Sequence, residues 1–133
     1  MIGPAATPLQ DAKIVYYLLR EIARCFDKKT LHRYAAQLRS IERVEWIEDS
    51  LVNLYLGACC REHAVAEWQD GEPLARLHIK DRLDGENSFC FYAKDGFISS
   101  IEGERSFRTL EADAIKRICI ECLDPRRPKM ESR

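Results

Sequence analysis

Several common kinds of catalytic site have no material in this chain. None of its six glycines falls in a Gly-x-Gly-x-x-Gly or Walker pattern, and there is no His-Glu-x-x-His and no nucleophile elbow, so the usual nucleotide, zinc-protease and hydrolase motifs are absent. Long apolar runs are missing too. The longest nearly uncharged stretch, residues 50–60, is too short for a bilayer span and contains Asn53 and Gly57, so no membrane association is expected. The first eight residues have neither a basic nor an apolar signal region, which points away from secretion. Histidine occurs only three times, as His32, His63 and His78, and no internal repeat or Asn-x-Ser/Thr sequon is present.

What the chain does have is ordinary globular material. At 133 residues, 46% apolar and 32% charged, it is large enough for one core without metal or disulfide staples. The expected organisation is one α+β domain over residues 1–124 and a basic, disordered tail over 125–133, where two prolines and several charges leave little to pack. Six cysteines are many for that size. Cys25, Cys59 and Cys90 each sit in an apolar run and Cys59-Cys60 are adjacent, so most are expected to be reduced thiols in the cytoplasm. Cys60, His63, Cys119 and Cys122 can be written as a Cys3His zinc site, but Cys119 and Cys122 fall on the apolar stripe of an expected helix. No cofactor and no metal is therefore expected.

Charge is unevenly distributed. Residues 1–61 carry a net +2, residues 62–124 carry 8 Lys/Arg against 14 Asp/Glu for a net −6, and residues 125–133 carry +3. The acidic half disfavours nucleic acid, which needs a basic footprint, and favours a partner with a basic surface.

Periodicity supplies the elements. Thr7 as cap and Pro8 at the first helical position open an amphipathic helix carrying Leu9, Ile14, Val15, Leu18, Leu19, Ile22, Cys25 and Phe26. A second helix is predicted from Lys28 to Ile41. Residues 44–60 are ambiguous between helix and strand, and the acidic start around Glu42, Glu45, Glu48 and Asp49 favours helix, through about Ala58, by its dipole. Those four acids would then form a cluster at helical spacing, able to meet a basic partner. Two hairpins follow, His63–Trp68 with Leu74–Lys80 and Ser88–Ala93 with Phe97–Glu102, and a C-terminal helix runs from Leu110 to Cys122. The expected fold is α+β, with N-terminal helices on a four-stranded antiparallel sheet and a C-terminal helix closing the core.

The Lys94-Asp95-Gly96 turn is the sharpest local signal. A two-residue Asp-Gly loop would scatter the apolar residues over both faces, whereas a three-residue loop pairs Ala93 with Phe97 and gathers Phe89, Phe91, Ala93, Phe97, Ser99 and Ile101 on one face. The three-residue register is therefore expected, with Gly96 left-handed. His78 would stand on an outer strand face between Arg76 and Lys80, and with Glu102 and Ser100 it could be written as an acid–base site, the enzymatic alternative.

From Phe89 to Glu104, an apolar strand, the Lys-Asp-Gly turn and Phe97-Ile98-Ser99-Ser100-Ile101-Glu102-Gly103 resemble the strand-turn-strand of small bacterial immunity proteins of polymorphic or contact-dependent toxin systems. The resemblance implies a cytoplasmic, non-enzymatic inhibitor that occludes a toxin domain. Candidate contact residues are Trp68 and Tyr92 as aromatic anchors and His78, Glu102, Glu104, Glu42, Glu45, Glu48 and Asp49 as polar and acidic contacts.

Overall fold

A computed structural model describes residues 5–58 and 61–123. Cys59, Cys60 and the expected basic tail lie outside the described residues. The elements run β1 (Ala5–Thr7), α1 (Lys13–Glu21), α2 (Lys28–Arg39), β2 (Ile41–Glu48), β3 (Leu51–Leu56), β4 (Pro73–Asp81), β5 (Glu86–Lys94), β6 (Phe97–Gly103) and β7 (Ile115–Cys122), with short 3-10 turns between some of them. All the strands join one antiparallel sheet in the order β1-β2-β3-β6-β5-β4-β7. The class is α+β, but the four-stranded sheet and the C-terminal helix are both corrected.

The N-terminal helix is shorter than its apolar stripe. Thr7 pairs with Val44 instead of capping, Leu9–Asp11 form a 3-10 turn, and α1 ends where Ile22–Cys25 tighten into another. Ile14, Val15, Leu18 and Leu19 still point into the core, as the stripe requires. In α2, Asp27 accepts the Thr30 amide at 2.8 Å and so satisfies one of the free N–H groups of the first turn. Tyr34 is fully buried and its hydroxyl donates to the Leu19 carbonyl at 2.6 Å, fastening α2 to α1.

Residues 41–56 are a β-hairpin, not a helix. Val44, Trp46, Val52 and Leu54 are buried while Glu45 and Asn53, which pair across the strands, are less so, giving the two-residue alternation of a strand. At the other end, Ile118, Ile120 and Cys122 alternate with exposed Arg117, Cys119 and Glu121 in β7. Ile120 decides between the two periods: it has no place on the helical stripe of Ile115, Ile118 and Cys122, but it completes the strand face. The expected strand His63–Trp68 is a 3-10 turn followed by irregular chain, with Val65 and Trp68 inserted into the core.

The β5–β6 hairpin turns in two residues, correcting the three-residue register. Lys94 pairs with Phe97, and Asp95 and Gly96 have φ of 53° and 86°, the positive pair that a type I′ turn demands. The apolar pattern survives because of a bulge. Ala93 faces Ile98 but Tyr92 faces Ser100, so Ser99 is an extra residue that flips the phase of β6. Ile98 on one side of the bulge and Ile101 on the other both enter the core, together with Phe89 and Phe91.

All helices cover one side of the sheet. Their buried residues form one continuous cluster with the inner strand residues, closed at one end by Phe107 stacked edge-on against Trp46 and Phe89. The sulfurs of Cys25 and Cys122 are joined, with Cα atoms 5.1 Å apart, tying the turn after α1 to the last strand. That bridge removes two cysteines from the thiols expected for most of the six; Cys90 and Cys119 are free.

Candidate binding face

Among the described residues the opposite face of the sheet carries no helix, and its side chains follow from register alone. Across β7, β4, β5 and β6 one row reads Glu121, Arg76, Cys90, Glu102, and the next reads Cys119, His78, Ser88. Arg76 donates to Glu121 at 3.3 Å. The adjoining Cys90 sulfur, and then Glu121, hold the Arg76 guanidinium protonated above its usual range. His78 Nδ1 lies 2.6 Å from Ser88 Oγ. A groove of about 420 Å³ opens between these rows, walled by Arg76, His78, Ser88 and Cys90 on one side and by Glu102 and Glu104 on the other.

Beside the groove Tyr92 is half-buried, and burial, with Cys90 and Glu102 adding to it, raises its phenol above the ordinary value. Farther along, Tyr55 donates to Glu45 at 2.7 Å while Arg43 stacks on its ring at 4.4 Å. The face is therefore mixed, aromatic and charged, with its free acid on β6 and just beyond. Among the described residues, neither Glu102 nor Glu104 has an ion-pair partner.

This geometry does not assemble the trio of His78, Glu102 and Ser100. Ser100 pairs with Tyr92, and Glu102 stands opposite Cys90, two strands from His78 and one row away. The hydroxyl that His78 meets is Ser88, which sequence reasoning passed over, as it did Arg76 and Cys90. The alternation Ser88, Cys90, Tyr92 marked them as one face, but which strand lay beside β5 was a matter of topology.

Four of the expected contact residues do share this region: His78, Tyr92, Glu102 and Glu104. Trp68 does not. It is 3% exposed and packs on Phe26 and Tyr34, so it anchors the core, not a partner. The acidic cluster also disperses because its segment is a strand. Glu45 bonds Tyr55, Glu42 approaches Gly57 from another side, Glu48 lies at a register shift, and Asp49 in the turn faces Arg108 at 3.7 Å. The zinc pattern loses its Cys119–Cys122 half likewise, since these two residues, three apart on a strand, occupy opposite faces and Cys122 is bonded to Cys25.

A larger cleft of about 700 Å³ lies by α1, but Lys13, Tyr16, Arg20 and Arg39 on its walls are exposed, so their rotamers set its shape. Compared with protein-family models, curated proteins and solved structures, the chain matches none.

Proposed function

We propose that this chain is a protein-binding module, an immunity-type inhibitor of the bacterial cytoplasm that occludes a toxin domain one-to-one with the open face of its sheet. The observation that carries the reading is the groove between β4 and β6, where among the described residues Glu102 and Glu104 lack cation partners while Arg76 is already engaged by Glu121. A Lys or Arg side chain from a basic partner complements it, and Tyr92 beside it supplies an aromatic anchor. The β5–β6 segment that resembles immunity proteins is the one that presents Tyr92 and Glu102.

The test is coexpression with any toxin domain that a neighbouring gene encodes. Wild-type chain is expected to protect the cells and to copurify at one-to-one stoichiometry, and the folded double variant Glu102→Lys/Glu104→Lys is expected to do neither. The Ser88–His78 contact favours acid–base chemistry as a second reading, and His78→Ala separates the two. An enzyme using His78 as base should lose on the order of 10²-fold in rate, whereas an occluding inhibitor should keep its protection. Disulfides persist mainly in oxidising compartments, so the state of Cys25 and Cys122 in protein alkylated within cells reports on the cytoplasmic assignment.

A further inference from the structure

The two ends of the sheet differ. β1 has three residues, but β7 has eight, and among the described residues its outer edge pairs with no other strand. Unpaired backbone groups on such an edge are a template for another strand. Their phase can be read from one bond. The Leu123 amide donates to the Leu74 carbonyl at 3.0 Å, one step beyond the Ala75–Cys122 pair, and bonded and non-bonded pairs alternate along an antiparallel ladder. Counting back, Glu121, Cys119 and Arg117 direct their backbone groups at β4, which leaves those of Ile118, Ile120 and Cys122 for the free edge.

We infer that β7 pairs antiparallel with β7 of a second copy of this chain, about a two-fold axis at Cys119. In this register Ile118 and Ile120 of each copy exchange backbone hydrogen bonds with Ile120 and Ile118 of the other. Arg117 of each copy then stands opposite Glu121 of the other, twice, as an isologous interface requires. Glu121, already 3.3 Å from Arg76, comes to lie between two guanidinium groups. The neighbouring in-phase registers, centred on Ile118 or Ile120, oppose Arg117 to Cys119 or Cys119 to Glu121 and leave the charges unmatched. Charge complementarity therefore selects the Cys119 axis. On that axis the two Cys119 residues form a non-bonded pair with Cα atoms about 4.5 Å apart, within the reach of a disulfide. Cys119 is free and exposed on the open face.

The experiment uses the full chain. Sedimentation over a range of concentrations should show a monomer–dimer equilibrium. Diamide, which takes up the two electrons and two protons released, should join Cys119 to Cys119, detected as a linked peptide pair by mass spectrometry. Arg117→Glu and Glu121→Arg should each raise the dimer dissociation constant about tenfold or more, and the double charge swap should recover most of that loss. A chain that stays monomeric, or a dimer lacking either the Cys119 link or the rescue by the double swap, overturns the proposal. The cross-link on unmodified protein keeps the test decisive if a reversed variant fails to fold.

Discussion

Gln37 places an entire side-chain amide inside the molecule. Its nitrogen donates to the carbonyls of His63 at 2.7 Å and Gly96 at 3.0 Å, and its oxygen accepts the Ile98 amide at 2.8 Å, so one residue of α2 fixes the β5–β6 turn and the chain before Val65. Gln37→Leu leaves the Ile98 amide and the His63 carbonyl without these partners and should destabilise by about 2–4 kcal/mol, read from urea unfolding. Gly96 is crowded as well as left-handed. A Cβ there would lie 3.0 Å from both the Ala64 Cβ and the Val65 nitrogen, so Gly96→Val should cost on the order of 1–2 kcal/mol or more. Tyr34 adds a pH dependence. Burial holds its phenol well above the ordinary value, so above about pH 10 the unfolded chain ionises at this position while the folded chain does not. Stability should be unaffected by this group below that pH and fall above it, and Tyr34→Phe should flatten the alkaline slope. The need for Gly96 was legible in Asp-Gly; the role of Gln37 was not, because nothing local distinguishes it from a solvated glutamine.

Among the elements, sequence periodicity succeeded where one face alone is buried. The inward set Phe89, Phe91 and Ala93 of β5 and the stripe of α1 are both found as expected. It failed where a single irregular residue changes the phase. Ser99 converts a two-residue turn with an apparently scattered pattern into a continuous core face, and a pattern read without bulges forces the wrong loop. β2 and β7 were misassigned because three apolar residues in each also satisfy a helical period; only neighbouring strands, far away in sequence, make the strand choice favourable. The bridge between Cys25 and Cys122 spans 97 residues and was likewise invisible. Peptide mapping of oxidised protein without reduction should recover these two cysteines in one linked species, and reduction should lower stability by about 2–4 kcal/mol. Independent alkylation of both would contradict the pairing.

For the molecule over its described residues, the helices and one sheet face form a single core and leave a second, chemically mixed face open. His78, Tyr92, Glu102 and Glu104 were nameable from strand alternation and charge, yet Trp68 and the acids from Glu42 to Asp49 were not separable from them without the fold. An account in which that face occludes a basic toxin domain makes its charge, not its histidine, the determinant. The most direct measurement is the dissociation constant between the purified chain and any toxin domain that a neighbouring gene encodes, for wild type, Glu102→Lys/Glu104→Lys and His78→Ala. The expected result is a one-to-one complex weakened about 10²-fold or more by the charge reversals, with slower association, and nearly unchanged by His78→Ala. No complex with that domain, or a complex indifferent to Glu102 and Glu104, would contradict the account.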